Sequence, residues 1–487
     1  MNQIIIKVNN VNARLLTTDE DLKEKLSETL KFRPPGYEHN AAFLAHRWDG
    51  WKYFFNKKSG LFLAGILPEI QLALEIMKKD YTLVDERTTQ DWAIPSIGDQ
   101  FLNQWLPKGK EEITLHDFQP DLVNNAIRHG RGIIQAPTSA GKTYIMISLL
   151  KCLPPKTPVL FLTKSASLVH QNWEDMKLWG VENLGRWYGK FKQPNYVMCI
   201  TCHQKTFESL ENLLPKFKVL IVDEVHECMS DVPVSAFRKM KAACCRFGIS
   251  ATAFKWEKEK INDCAKWELK GHFGCLLKTE TTKSGFLTTQ DLKDRGIVSE
   301  SEAHFYKVTK PDIAYEPYMD AIKLGVEQNF HFHDMVAKIA KHCPGRTLIV
   351  VERIEHGRYL NQLIPGSSFL YGDLNLKQRE PILNALKDEK GGRYIGIIQK
   401  RIITAGINLK IHDLINAAGG EAAHNVIQLI GRGLRLAGDK DKLRYHDFLF
   451  LNNSYLQEDA EWRIKVLEKE GHPVTIHDNL DHLGLMS

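Results

Sequence analysis

Two tandem α/β domains built on parallel sheets, preceded by a small α+β domain, are the fold this sequence predicts. Three observations predict it. Short apolar runs repeatedly end in hydroxyl, carboxylate or glycine-rich stretches, and a helical pattern follows. This strand–helix alternation starts at 113 and again at 346, which signals βαβ units and parallel sheets. The first 95 residues lack it and mix turn signals with two separate helical patterns.

The bulk numbers agree. The 487 residues are enough for three domains of ordinary size. With 43% hydrophobic and 25% charged residues, the composition excludes a disordered chain. A net charge of +6 suits a polyanionic partner without proving one. The nine cysteines include one CxxC, Cys199 with Cys202, and no second pair at zinc-finger spacing, so they read as reduced thiols. The opening MNQIIIKVNN has too short an apolar run for a signal peptide, and no stretch approaches 18 apolar residues. A soluble, cytoplasmic protein without a membrane partner is expected.

Residues 1–95 form the first domain. Residues 2–9 alternate as a strand, and Asp19–Leu30 reads as a helix with Leu22, Leu26 and Leu30 on one face. Arg47 to Phe55 predicts a hairpin turning at Asp49-Gly50, with a second turn at Lys57–Gly60 and a helix near Pro68–Lys79. Trp48, Trp51 and Phe54 read as core more than as base contacts. Arg47 and Lys52, with Lys57 and Lys58, are candidates for nucleic-acid phosphates, or else form a solvated basic face. Residues 96–112 are polar and carry prolines, so they read as a linker.

The first α/β domain, 113–285, is organised around Ala136-Pro137-Thr138-Ser139-Ala140-Gly141-Lys142-Thr143, which follows a short apolar strand and opens a helix. Small residues let backbone N–H groups close around phosphate oxygens, and the helix N-terminus adds partial positive charge. Lys142 reaches the β- and γ-phosphates, and the Thr143 hydroxyl suits Mg²⁺. Alone, this pattern could be a capped helix start. It does not stand alone, because Val219–Val222 ends in Asp223-Glu224. One carboxylate to hold the metal and one to activate water are what a Mg²⁺-nucleotide site needs. Upstream, Gln119 can both donate to and accept from an adenine edge, or it simply starts a helix. Further strands end in Thr163-Lys164-Ser165, in Thr201-Cys202-His203-Gln204 and in Ser250-Ala251-Thr252. The ends of parallel strands share one edge, so these groups converge.

Residues 286–345 read as a hinge and helical connection. The second α/β domain, 346–455, has strand-like runs at 346–351, 368–371, 394–398, 414–417 and 448–451, and no phosphate loop. It carries Thr404-Ala405-Gly406-Ile407-Asn408, then Gln428-Leu429-Ile430-Gly431-Arg432-Gly433-Leu434-Arg435. Arg432 and Arg435 share a face if helical. Planar guanidiniums on a domain without its own nucleotide loop suggest arginine fingers, against a solvated basic face. The nearby glycines cost helix stability, which close backbone approach would explain. The tail, 456–487, reads as helical, with isolated histidines and no metal site.

In this order the motifs resemble those of the superfamily 2 helicases. The resemblance covers 115–436, and the aromatic-Trp-Asp-Gly stretch ahead of it looks like the phage UvsW helicase group. It implies two RecA-like domains and an N-terminal DNA-binding module. It also implies ATP and Mg²⁺ as cofactors, and branched or partly single-stranded DNA as partner. Lys142 and Thr143 would bind the triphosphate and Mg²⁺, with Asp223 on the metal and Glu224 as base. Pro137, Thr138, Ser139, Ala140 and Gly141 would line the phosphates. Ser250 and Thr252 would couple hydrolysis to movement. Lys164, Ser165, Thr201 and Thr404 would touch the nucleic acid. Gly406 and Asn408 would lie at the nucleotide cleft, and Gln428, Arg432 and Arg435 would close on the γ-phosphate. The expected activity is ATP-dependent remodelling of forks or junctions in recombination, replication or repair, in the host cytoplasm if phage-encoded. Recombination or replication proteins are further expected partners, and the oligomeric state stays open. An RNA remodeller and the motor of a restriction-type system are the alternatives.

Overall fold

Runs such as Val159–Thr163, Val197–Thr201 and Val219–Asp223 are buried along their whole length. Strands covered on both faces are the habit of parallel sheets, and burial of each large apolar side chain contributes roughly 1.5–3 kcal/mol. The computed structural model describes residues 3–252, 256–257, 260–261, 263–372, 374, 376–386, 392–403, 409–420, 429–431, 433–434 and 442–483. They fall into two units: residues 1–136 with 141–287, and residues 288–487 with the short piece 137–140.

The first unit holds a seven-stranded sheet. Its strands are β1 (Arg131–Gln135), β2 (Val159–Thr163), β3 (Leu184–Tyr188), β4 (Phe191–Gln193), β5 (Val197–Thr201), β6 (Val219–Asp223) and β7 (Cys245–Ser250). Their spatial order is β4-β3-β5-β2-β6-β7-β1. All neighbours run parallel except the edge pair β3–β4. Helix α1 (Phe118–His129) precedes β1, α2 (Lys142–Cys152) follows it, and α3 (Ala166–Leu178) follows β2.

The N-terminal module belongs to the same unit. Its five strands lie in the order Phe55–Asn56, Leu61–Leu63, Asn12–Leu16, Ile5–Val8, Thr82–Asp85. Helices Glu20–Thr29 and Leu67–Ile76 supply Leu22, Leu26, Ile70 and Leu74 to its core. The hairpin expected at Asp49-Gly50 does not form. Lys52-Tyr53 pairs instead with Lys31-Phe32, and Asp49 caps the local turn by accepting from the Trp51 N–H at 3.0 Å. Phe54 is buried, whereas Trp48 and Trp51 are half-buried.

The second unit is a fully parallel sheet in the order Ser368–Leu370, Tyr394–Gln399, Arg346–Val351, Asp413–Asn416, Lys442–Phe450, Glu300–Val308, Val474–His477. Two of these strands lie outside the stretch expected to form this domain. The segment read as a hinge supplies Glu300–Val308, and the tail read as helical supplies Val474–His477 after helix Ser454–Lys469. Both expectations are corrected by the same fact: each strand completes its pairing only with a partner distant in sequence. Among the described residues no helix is long and apolar enough to cross a membrane.

Candidate functional site

Parallel register puts the functional groups in one row. Ser250 is level with Gln135, Ile249 with Asp223, Val222 with Leu162, and Thr163 with Thr201. The loop from β1 to α2 opens this row. Its entry is pinned where Ala136 N–H donates to the Ser250 carbonyl at 2.9 Å. Its exit is Gly141, at φ +76°, the N-cap of α2. The positive φ calls for glycine, and a Cβ there, 2.2 Å from Gln119 Nε2, would displace that carboxamide. Ser139 also has positive φ, at +72°. Lys142 and Thr143 form the first turn of α2, both half-buried.

Gln119 itself is buried, and its Oε1 accepts from the His116 N–H at 2.9 Å. The carboxamide thus braces the start of α1 and lies close against Gly141.

Lys142 Nζ is ion-paired with Glu224 Oε1, each side chain 17% exposed. Glu224 sits in the left-handed region at φ +47°, a strained place for a residue with a Cβ. Ser250 is fully buried, and its hydroxyl donates to Glu224 Oε2 at 3.4 Å, meets His226 Nδ1 at 2.6 Å and accepts from the Thr252 N–H at 3.1 Å. Asp223, also buried, accepts from Asn172 Nδ2 at 3.3 Å. Burial, reinforced by the Glu224 charge, pushes its pKa up to about 6 against the pull of Lys142. Two acids facing one lysine leave excess negative charge. With the Thr143 hydroxyl on the first turn of α2, beside Lys142 in sequence, the donor set is hard oxygen, which fits Mg²⁺.

The remaining candidates fare differently. Lys164 is exposed, with Nζ 2.8 Å from Glu227 Oε1. Ser165 caps α3, accepting from the Leu168 N–H. Thr201 is corrected: it is 1% exposed and its hydroxyl meets that of Thr206 at 3.1 Å, so its side chain does not face a strand of nucleic acid. His203 and Gln204, just past that strand end, are exposed. Arg47 is exposed. Thr404, Gly406, Asn408, Gln428, Arg432 and Arg435 lie outside the described residues. Gly433 is described, and a Cβ on it would meet Leu443 Cδ2 at 2.8 Å, the close approach its composition suggested.

Lys52 is ion-paired within the first unit. Its Nζ lies 2.5 Å from Glu268 Oε2, a carboxylate only 6% exposed. Burial alone would raise Glu268, but the His272 hydrogen bond and the Lys52 charge outweigh it and hold the pKa at about 2. A carboxyl depressed on folding stabilises above its unfolded pKa of about 4.3, and this is lost as pH falls toward 2. Lys52→Met is expected to cost about 1–2 kcal/mol at pH 7, the half-exposed lysine being screened by solvent, and much less at about pH 1.5, below the folded pKa of Glu268. Urea unfolding at both pH values measures this; an equal loss at both would refute it.

Elsewhere, Cys343, Asp413 and His446 converge, all buried. Arg444 already grips Asp413 at 2.6 and 2.8 Å, so the group is a neutralised ion network at the opening end of its strands.

A phosphate loop, an Asp-Glu strand end and a hydroxyl strand end on one sheet edge are the parts of an ATP-driven enzyme, and with a second parallel-sheet unit in the same chain they are similar to those of helicases. Residues 112–255 match the family described as "Type III restriction enzyme, res subunit". Over 458 residues the chain is 22% identical to the ATP-dependent DNA helicase uvsW of Enterobacteria phage T4, covering 87% of this chain and 86% of that one. It is 24% identical over 371 residues to the DNA 3'-5' translocase XPB2 of Sulfurisphaera tokodaii, covering 69% and 81%. A solved fragment of an HsdR subunit of a type I restriction enzyme from Vibrio vulnificus shares the fold at TM-score 0.54 and 15% identity, covering 74% and 68%.

Proposed function

We propose that the chain is an ATP-dependent DNA helicase or translocase that remodels branched DNA. One observation carries this: Lys142, Asp223, Glu224 and Ser250 meet at the edge of the sheet on which exposed Lys164 also stands. Chemistry and strand contact therefore share one rigid element. DNA, rather than RNA, is the substrate of the two curated relatives by their names.

In this reading Lys142 exchanges the Glu224 carboxylate for triphosphate oxygens. That frees Glu224 to accept a proton from the attacking water. Asp223 and Thr143 would hold Mg²⁺, which neutralises charge on the phosphates when bound. Ser250 relays changes at Glu224 to His226 and to the Thr252 backbone. Gln428, Arg432, Arg435, Thr404, Gly406 and Asn408 join this reading on their sequence alone.

Glu224→Gln is expected to slow hydrolysis by about 10²–10⁴-fold while tightening ATP binding, because Lys142 no longer leaves a carboxylate. Weaker binding of a fluorescent ATP analogue would refute the exchange. The function itself is tested by ATPase stimulation with single-stranded DNA, forks, four-way junctions and RNA, alongside strand displacement with both overhang polarities. Stimulation by RNA alone, or by nothing, would overturn it. The matched family description favours one second reading, a motor working with a separate nuclease. That reading expects translocation without strand displacement.

A further inference from the structure

Strand β3 runs Leu184–Tyr188 and β4 runs Phe191–Gln193, joined by the two-residue turn Gly189-Lys190, with Gly189 at φ +48°. They form an antiparallel hairpin at one edge of the first-unit sheet. Its residues are strongly basic and aromatic. The Arg186 guanidinium stacks over Phe191 at 3.8 Å and over Trp173 at 4.3 Å. Lys192 lies over Trp187 at 4.9 Å, and the rings of Tyr188 and Phe191 are 5.1 Å apart. Lys190 and Lys192 are exposed, while Tyr188 and Phe191 are half-buried near the tip.

Register places this tip in the functional row. β3 is parallel to β5 with Trp187 level with Ile200, so Tyr188, the next residue, comes level with Thr201. Strands are spaced about 4.8 Å apart, so the hairpin stands roughly 10 Å from the strand that ends at Lys164. That is the far side of Lys164 from the phosphate loop, given the order β3-β5-β2-β6-β7-β1. The row thus runs from nucleotide chemistry through Lys164 to a rigid hairpin carrying cations and rings.

We propose that the hairpin Leu184–Gln193 is a DNA contact, with Lys190 and Lys192 on backbone phosphates and the Tyr188–Phe191 ring pair against a base exposed where strands part. This rests on the DNA-motor reading. The chemistry matches: ammonium groups meet phosphates, and aromatic faces stack on bases without regard to sequence. Arg186, clamped between two rings, stiffens the hairpin rather than reaching outward. An added protein strand is the other occupant for an edge strand, but a lysine-bearing edge of three residues disfavours it.

The test uses the full chain with a fluorescent forked DNA, and reads affinity against salt for wild type and for Lys190→Glu with Lys192→Glu. Both lysines are exposed, so melting temperature and DNA-free ATP turnover are expected to hold. Affinity near 0.1 M salt should fall at least about 10-fold, and the slope of log K against log salt should flatten by about 1.4–1.8, as loss of two phosphate contacts requires. An unchanged slope and affinity would overturn the proposal, as would capture of a peptide strand by the same edge in place of DNA. For the rings, Tyr188→Leu with Phe191→Leu is expected to cut strand displacement several-fold while ATPase stimulated by single-stranded DNA persists; intact displacement would overturn that part. If wild type binds no DNA at all, the motor reading fails. If wild type binds and the reversed variant binds equally, only the hairpin fails.

Discussion

Lys142→Ala is expected to lower ATP turnover by roughly 1,000-fold, about 4 kcal/mol of transition-state stabilisation, with the fold intact. The reason is local. Lys142 opens α2 and is the lysine paired with Glu224 in this pocket. Lys164, the next lysine along the row, is held at Glu227 two strands from the phosphate loop's neighbour β7. Lys164 therefore does not stand in for Lys142 at the phosphates. Loss of Lys142 also removes a positive charge that lowers the Asp223 pKa, so that pKa should rise further. Lys142→Arg keeps the charge but changes its shape, and should recover only part of the rate. The measurement is steady-state phosphate release at saturating ATP, with circular dichroism to confirm folding. Turnover within a few-fold of wild type would remove Lys142 from the site.

Much of this pocket is legible because its chemistry is local in sequence. The phosphate loop is one unbroken stretch, and Val219–Asp223 is a short apolar run with its carboxylates attached. Elements defined by distant partners are hidden. In Glu300–Val308 the buried positions alternate with Glu300, Glu302 and Lys307, and the strand gains its place only beside Lys442–Phe450 and Val474–His477. Lys52 has the composition of a phosphate contact, yet Glu268 claims it from a helix far along the chain. At Thr201 the residue type fits, but which way the side chain turns depends on the phase of the strand. The left-handed backbone of Glu224 has no sequence signal at all, since glutamate is a poor residue for it. Strain of that kind is held by surrounding contacts, here Lys142 and Ser250.

The second unit is expected to depend on a buried ion pair to a comparable degree. Arg463 and Asp447 are each 1% exposed and joined by two hydrogen bonds, Nε to Oδ2 at 2.8 Å and Nη2 to Oδ1 at 2.9 Å. The carboxylate also accepts from Tyr445 Oη at 2.6 Å, Asn416 Nδ2 at 3.1 Å and the Phe448 N–H at 2.7 Å. The guanidinium's Nη1 donates to the Gly420 carbonyl at 2.8 Å. A buried pair this well satisfied adds little over an apolar pair, but removing one member strands a charge. Arg463→Met is therefore expected to cost about 3–5 kcal/mol, lowering the melting transition of this unit by roughly 10 °C. Arg463→Met with Asp447→Leu should recover at least about 2 kcal/mol of that, because no charge is left unpaired. Differential scanning calorimetry of the two variants distinguishes the cases. A single variant that melts within about 2 °C of wild type, which corresponds to less than about 1 kcal/mol, would show that water reaches the pair. Gly420 is the last described residue before the stretch that leads to Gln428. Arg463 thus fixes the backbone where the chain departs toward its second set of motifs, and the same substitution should impair ATP turnover at temperatures where the unit remains folded.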